Sequence, residues 1–182
     1  MADVSVRAAV PDDAAEIGRI QVETWRGAYR DVLPGPVLQA LSAPVAAERW
    51  AAAIEAPPTP HHHVLVALER HWCVGFTALG PAGDLQDADP DQEATVELAA
   101  LIVEPRWGRR GHGSRLLAAA VDHGRADGMA RAVAWIPEGD TVTREFLVSA
   151  GWAPDGLARA LDTGAGEFRE IRLHTVLTSE AR

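Results

Sequence analysis

The order of apolar and polar residues in the first third of the chain predicts one strand followed by helices. Residues 4–10 have the composition of a short strand. Proline and aspartate then open residues 11–25, which are expected to form a helix. Residues 27–36 are rich in glycine and proline and are expected to lack regular structure, whereas 42–54 begin with a serine cap and a first-turn proline and predict another helix.

The rest of the chain is predicted to alternate between strands and helices. Strands are expected at 63–69, 73–79, 95–103, 130–136 and 167–175. Helices are expected from about Gly113 to Gly124 and over 141–150. The run 95–103 is apolar except for Glu97, which is typical of a central strand covered on both faces. Strand, helix and strand in succession make a βαβ unit, so we expect an α/β (α+β) fold.

Length and composition favour a soluble, single-domain protein. A chain of 182 residues fits one domain over residues 1–182. No apolar run approaches the roughly 20 residues that cross a bilayer, and the N-terminal residues lack the order of a signal peptide. Cys73 is the sole cysteine, which excludes an internal disulfide. We therefore expect a cytoplasmic protein without a membrane partner.

The charge distribution excludes one class of partner and suggests another. A net charge of -9 argues against nucleic-acid binding, since affinity for phosphate backbones comes from Lys and Arg. Residues 106–115 nevertheless contain four arginines and no acid, which suits a small polyanionic ligand. Residues 84–97 contain six acids and no base, and form either a solvated loop or a segment that attracts a cationic substrate.

A glycine-rich turn between strand 95–103 and the following helix is the most informative motif. Glycines allow a ligand to approach the backbone closely, and free amides at a helix N-terminus favour an anion such as pyrophosphate. The turn is not a P-loop because no lysine follows its glycines. It also lacks the third glycine of a dinucleotide fingerprint, because Leu116 stands at that place. A tight turn without a ligand is the alternative interpretation.

The turn resembles the acetyl-CoA loop of the GNAT acetyltransferase superfamily. The matching text is Val103-Glu104-Pro105-Arg106-Trp107-Gly108-Arg109-Arg110-Gly111-His112-Gly113. Residues 97–103, Val74-Gly75-Phe76, 143–152 and the segment from Trp25 to Pro34 are also similar to family segments, in the expected order from about residue 4 to 152. The resemblance implies a mixed, twisted, mostly antiparallel sheet with helices on both faces and splayed fourth and fifth strands.

The resemblance also implies which residues bind acetyl-CoA. The backbone of strand residues Leu101, Ile102 and Val103 would pair with the pantetheine arm, and the loop amides would hold the pyrophosphate. The loop residues concerned are Arg109, Arg110, Gly111, His112, Gly113 and Ser114. Two residues depart from the family pattern: Gly108 stands where Arg or Gln is usual, and Arg109 stands where Gly is usual. Either the side chain of Arg109 or Arg110 replaces the missing charge, or side chains so near the phosphates crowd the loop and weaken cofactor binding.

Acetyl transfer to an amine requires removal of a proton from the ammonium group. Glu97 is the candidate base, because a carboxylate in an apolar strand is partly desolvated and its pKa rises; the alternative is a structural or solvent-facing glutamate. Leu147 occupies the place of the tyrosine that protonates the thiolate in the family. Tyr29 is the sole tyrosine. Either it reaches the cleft as the proton donor, or water protonates the thiolate, or the thiolate leaves unaided; the alternative role of Tyr29 is to anchor its loop. Cys73 is not expected to act as a nucleophile.

The acceptor is expected to be a small-molecule or peptide amine. Trp25, Tyr29 and Trp135 are candidates for its pocket, although tryptophans are more often core residues. No metal site is expected: residues 61–63 are three histidines in a row, whose side chains alternate in direction along a strand. The oligomeric state stays open, with a homodimer possible by family resemblance. A catalytically degenerate acetyl-CoA sensor is the alternative function.

Overall fold

Seven strands form one sheet in the computed structural model of the chain, which describes residues 4–177. The strands are β1 (Val4–Ala8), β2 (His63–Glu69), β3 (Trp72–Pro81), β4 (Thr95–Val103), β5 (Arg131–Pro137), β6 (Ala153–Asp162) and β7 (Glu167–Val176). The α-helices are α1 (Ala14–Ala28), α2 (Gly35–Ala40), α3 (Ala43–Glu55), α4 (His112–Ala126) and α5 (Thr141–Ser149).

The sheet is mixed but mostly antiparallel, as expected. Its strand order is β1-β2-β3-β4-β5-β7-β6, and β4 with β5 is the parallel pair among these strands. The crossover between those two strands contains α4, so the predicted βαβ unit is confirmed.

Helices cover both faces of the sheet, because neighbouring residues on a strand point to opposite sides. Val66 packs with α1 residues Ile17 and Ile20. The next residue, Ala67, packs with Leu116 of α4. In β4, Ile102 likewise belongs to the first cluster and Leu101 and Val103 contact the second. The predicted two-sided burial of β4 is thereby confirmed.

A bulge in β4 precedes a separation of the two central strands. Ala78 of β3 pairs with Ala100 and the next residue, Leu79, pairs with Leu98, so Ala99 is an extra residue without an opposite partner. On the other side, β4 and β5 pair only from Thr95 to Glu97. Both strands continue for several residues beyond that point, so the predicted splay is confirmed.

Local structure differs from expectation at two places. The irregular segment expected at 27–36 is shorter and spans 29–34, because α1 continues to Ala28 and α2 begins at Gly35 with a proline in its first turn, a position where proline favours helix formation. The strand β6 was not predicted. It lies at the edge of the sheet and contains Pro154, which edge strands tolerate because no inner neighbour needs its amide.

The acidic segment 84–97 is partly an ion-paired cover and not simply a solvated loop. Asp84 binds Arg159 of β6, with 2.8 Å between Oδ2 and the guanidinium. Asp89 is buried against Arg172 and Arg131, and both arginines also bind Asp155. Because these charges neutralise one another, the segment is fixed over the β5, β6 and β7 end of the sheet.

Candidate active site

A cleft of about 180 Å³ opens where β4 and β5 diverge. The residues of β4 from Leu98 to Ile102 form one wall, and the residues of β5 from Ala134 to Pro137 form the other. Side chains from α1, α5 and β7 complete the lining. The cleft is therefore a direct consequence of the short pairing between the two central strands.

The edge of β4 that faces the cleft offers backbone groups for pairing. The amide of Glu104 donates to Val74 O of β3 at 2.9 Å. Since backbone groups alternate in direction along a strand, the amides and carbonyls of Leu101 and Val103 point away from β3 and into the gap. An extended ligand lying in the gap can pair with this edge as an additional strand does.

The loop after β4 forms an uncapped helix N-terminus. Arg109 has a left-handed backbone with φ of 59°, and Gly111, the residue before α4, has φ of 81°. The first helical hydrogen bond of α4 runs from Arg115 N to Gly111 O at 3.1 Å, so the amides of His112, Gly113 and Ser114 precede the helical bonding pattern. Among residues 4–177 these three amides have no hydrogen-bond acceptor, and such donors at the positive end of a helix dipole suit an anionic ligand.

The arginines around this loop differ in what they contact. Arg110 binds Glu69 at 3.2 Å and lies over the ring of Trp107. Arg106 binds Glu104 at 2.8 Å. Arg109 is exposed and, in the part of the chain that the structure describes, forms no ion pair. Of the two arginines expected to replace the missing charge, Arg109 is therefore the one whose guanidinium is available.

The side chain of His112 does not reach the loop surface. It is buried, and its Nε2 lies 2.9 Å from Glu69 Oε2 at the end of β2. The imidazole thus joins the start of α4 to the neighbouring strands, and only the His112 amide faces outward with those of the next residues. The His112 side chain is therefore neither exposed to solvent nor placed to contact a phosphate group at the loop surface.

Glu97 lies at the point where β4 and β5 begin to separate. It pairs with Val133 in the last β4–β5 pair, one residue before the cleft wall begins. Its carboxylate is half-buried and, among residues 4–177, no side chain donates to it. Burial raises the pKa of the Glu97 carboxyl above its usual value, and Arg159 partly opposes that rise. A partly desolvated, unpaired carboxylate is a suitable proton acceptor.

Tyr29 does line the cleft, although it is distant in sequence from the other lining residues. Its hydroxyl donates to Asp140 Oδ2 at 2.9 Å, just before α5. Burial and the adjacent Asp140 carboxylate raise the pKa of Tyr29. Leu147 also lines the cleft and is buried, but its side chain has no proton to donate.

Trp25 and Trp135 line the same cleft as Tyr29, so the structure brings the three candidate acceptor residues together. Sequence reasoning missed Glu170 and Phe168, which also line it. They are two positions apart on β7 and therefore on one face of the strand, so an acid two residues after an aromatic is the signal that could have found them.

Glu170 is tied to the neighbouring edge strand. Its Oε2 accepts from the guanidinium of Arg159 at 2.7 Å, and Arg159 lies over the ring of Trp135 at 4.4 Å. These contacts give the cleft an aromatic wall supported by a charged pair.

Other groups considered from the sequence lie away from the cleft lining. Burial raises the pKa of the Cys73 thiol to about 11, which disfavours the nucleophilic thiolate. His61 and His63 both face Asp127, with 2.7 Å between His63 Nε2 and the carboxylate. No cluster of metal-binding side chains and no helix long and apolar enough to cross a membrane is found in residues 4–177.

Comparison with known proteins identifies the family. Residues 23–152 match the acetyltransferase (GNAT) family. No curated protein matches the sequence closely enough to be compared.

Several solved structures share the fold. The PaiA N-acetyltransferase of Thermoplasma acidophilum, in complex with coenzyme A, is 14% identical over 96% of this chain and 99% of its own, with a TM-score of 0.76. The YncA protein of Salmonella typhimurium, with its cofactor acetyl-CoA, is 18% identical over 98% of this chain and 96% of its own, with a TM-score of 0.71. The ribosomal-protein-alanine N-acetyltransferase of Brucella melitensis is 17% identical over 94% of this chain and 99% of its own, with a TM-score of 0.74. The chain therefore belongs to the acetyltransferase (GNAT) family of acyltransferases.

Proposed function

We propose that the protein is an N-acetyltransferase that moves the acetyl group of acetyl-CoA directly to a primary amine, with Glu97 as general base. One observation carries the proposal. A continuous path runs from the uncapped start of α4, along the free edge of β4, to the carboxylate of Glu97, where β4 and β5 begin to separate.

Two features of that path fit acetyl-CoA. The amides of His112, Gly113 and Ser114 suit the pyrophosphate, with the Arg109 guanidinium and the amides from Arg109 to Gly111 beside them. The backbone of Leu101 and Val103, with Ile102 between them, suits the amide groups of the pantetheine arm. Acetyl-CoA, when bound, supplies a thioester whose carbonyl carbon accepts the amine.

Glu97, beside the cleft, and the residues that line it would then do three things. Glu97 takes a proton from the acceptor ammonium, directly or through a water molecule, so that the free amine attacks. A backbone amide of β4 donates to the carbonyl oxygen as it gains charge. Trp25 and Trp135 hold the carbon skeleton of the acceptor, and no covalent enzyme intermediate or metal ion is required.

Tyr29 is the proposed proton donor to the departing thiolate. It lines the cleft, and Asp140 fixes the position of its hydroxyl. A thiol has a pKa near 8.5, so the thiolate is a fair leaving group and assistance from Tyr29 is expected to be modest.

A second candidate function is an acetyl-CoA sensor without turnover. The observations that favour it are Leu147 at the place of the family tyrosine and the engagement of the Tyr29 hydroxyl by Asp140. A sensor would bind acetyl-CoA but transfer no acetyl group to any amine.

We further propose that residues 1–182 act as a single domain in the cytoplasm, either as a monomer or as a homodimer. The lone cysteine suits a reducing compartment.

The direct test is transfer of radiolabelled acetyl groups from acetyl-CoA to a panel of amines. The sequence contains no lysine, so modification of the protein's own lysines cannot obscure the signal. We expect turnover by the wild type and a decrease in kcat of at least about 100-fold in Glu97→Gln, with acetyl-CoA affinity unchanged. The control, Glu93→Gln, alters an exposed acid close by and should behave as the wild type. Binding of acetyl-CoA without turnover of any amine would support the sensor.

A further inference from the structure

We propose that the acceptor site selects primary amines that carry no carboxylate or phosphate group, and that it discriminates against the corresponding amino acids. This inference rests on the proposed function, because it concerns the amine that enters the same cleft.

The walls of the cleft suit an apolar or cationic carbon skeleton. Trp25, Tyr29 and Trp135 line it together with Phe168. Aromatic faces attract ammonium groups and bury methylene groups well. Such walls do not by themselves distinguish an amine from an amino acid. Any discrimination between them must come from the charged side chains around the cleft.

The two guanidinium groups that approach the ring of Trp135 in the cleft wall are already neutralised. Arg159 lies over Trp135 but binds Asp84 and Glu170. Its neighbour Arg172 also approaches that ring, at 5.6 Å, and is 1% exposed.

Arg172 in turn binds two aspartates, Asp89 and Asp155. No Arg or His side chain of residues 4–177 lines the cleft itself, and the sequence has no lysine. A carboxylate on the acceptor would therefore find no free cation there.

The carboxylates near the cleft, in contrast, retain binding capacity. Arg159 contacts only Oε2 of Glu170, which leaves Oε1 without a donor among the described residues. Glu97 has no ion-pair partner in the same part of the chain. An ammonium group is attracted by both, whereas an acceptor carboxylate is repelled by both and loses its hydration on entry.

The available arginine of the acetyl-CoA loop lies far from Glu97. Arg109 is in the loop beyond Val103, and six residues of strand, about 20 Å, separate Val103 from Glu97. The free guanidinium of Arg109 thus lies at the loop end of the β4 edge, whereas the carboxylate of Glu97 lies at the end where β4 and β5 begin to separate and that of Glu170 lies in the cleft lining.

Matched pairs of ligands test the inference. Binding of 1,5-diaminopentane and lysine, and of tryptamine and tryptophan, is measured by calorimetry on full-length protein saturated with unacetylated CoA, so that no reaction occurs. Each amine should bind at least about tenfold more tightly than its amino acid. Equal or tighter binding of either amino acid, or no binding by either amine at millimolar concentration, would overturn the inference.

A charge variant tests the proposed cause. Glu170→Gln removes the negative charge from the cleft wall and leaves Arg159 with Asp84 as its one carboxylate partner among the described residues, so the preference for diaminopentane over lysine should fall by about tenfold. Glu167→Gln is the control, since Glu167 is exposed on the same strand. An unchanged preference in a folded Glu170→Gln protein would contradict the assignment of this carboxylate to selectivity.

The same samples separate this inference from the proposed function. CoA binding that fails, or amines that bind but are never acetylated when acetyl-CoA is supplied, would refute the enzymatic proposal alone. A protein that acetylates lysine as readily as diaminopentane would refute the selectivity alone.

Discussion

The hydroxyl of Tyr29 donates a hydrogen bond of 2.9 Å to Oδ2 of Asp140, which joins the end of α1 to the start of α5 across one side of the cleft. Asp140 also caps α5 by accepting from Thr143 N at 3.0 Å. Asp140 therefore fixes the position of the Tyr29 hydroxyl, the proposed proton donor, and also stabilises the N-terminus of α5.

Replacement of Tyr29 by phenylalanine separates these two roles. We expect Tyr29→Phe to lower the free energy of unfolding by about 1 to 2 kcal/mol, because a partly buried hydrogen bond to a carboxylate is lost. We also expect kcat to fall about tenfold, a small effect since the thiolate leaves readily. Urea unfolding and steady-state kinetics measure the two. Asp140→Asn, which can still accept from the hydroxyl, is the control; a loss of stability with unchanged kcat would leave Tyr29 as an anchor only.

The raised pKa of Glu97 predicts a pH dependence of stability. A carboxyl whose folded pKa exceeds its unfolded value binds more protons in the folded state, so the ionised Glu97 destabilises the fold at neutral pH. Glu97→Gln should therefore have a higher Tm than the wild type at pH 7, and the difference should shrink as the pH falls through the raised pKa toward the usual value of 4.5. Thermal unfolding from pH 4 to 8 measures this, and an equal or lower Tm of the variant at pH 7 would contradict it.

The buried pair of Asp89 and Arg172 predicts the opposite dependence. Hydrogen bonds from Arg172 hold the pKa of Asp89 well below its usual value of 3.8. Its stabilisation is complete above that value and is lost as the pH falls toward the depressed pKa. Asp89→Asn should lower the unfolding free energy at pH 7 by about 3 kcal/mol, because Arg172 is 1% exposed and loses a partner.

The control for Asp89 is Asp87→Asn, in the same segment but exposed. It should leave the unfolding free energy within about 0.5 kcal/mol of the wild type. Urea unfolding at pH 7 and near pH 3 compares the variants. Equal stability of Asp89→Asn and Asp87→Asn at pH 7 would show that the covering segment is not held by this ion pair.

The left-handed backbone of Arg109 explains why glycine is usual at this place. It also predicts that replacing Arg109 by glycine relieves backbone strain but lowers the affinity for acetyl-CoA. A non-glycine residue in this region costs about 1 kcal/mol. Arg109→Gly should leave stability unchanged or raise it by up to about 1 kcal/mol, while acetyl-CoA affinity at low salt falls about tenfold. Arg109→Lys keeps both strain and charge and should bind as the wild type. Equal affinities of the Gly and Lys variants would exclude a phosphate contact by this side chain.

The parts of the fold that sequence predicted are those with a local signal. The apolar run 95–103 and the glycine-rich turn place the central strand and the start of α4 to within a residue or two. The bulge at Ala99 has no such signal, because it depends on the register between β3 and β4. The residue types of the edge strand β6 alternate only weakly between apolar and polar, and the strand contains proline. Its sequence therefore does not stand out from that of a loop.

The residues of the candidate site likewise include some that the sequence predicted and some that it could not predict. Glu97, Tyr29 and the two tryptophans could be named from residue type and family resemblance. The burial of His112 could not, since it depends on Glu69 at the end of a distant strand. Glu170 escaped notice because a glutamate in a strand is usually exposed, and only the pairing of β7 with β6 brings Arg159 to it.

The account rests on acetyl-CoA binding at the start of α4, and thermal unfolding with and without acetyl-CoA tests it most directly. A Cβ at Gly113 would meet only ordinary contacts with Phe146 and Val103, so Gly113→Ala should fold and bind. Gly113→Glu should fold but place a negative charge at the phosphate site. At 100 times Kd we expect a stabilisation of about 2.7 kcal/mol, or about 5 to 11 °C in Tm, for the wild type and Gly113→Ala, and none for Gly113→Glu. No shift of the wild type at millimolar acetyl-CoA, or an equal shift in Gly113→Glu, would contradict the assignment of this loop as the acetyl-CoA site.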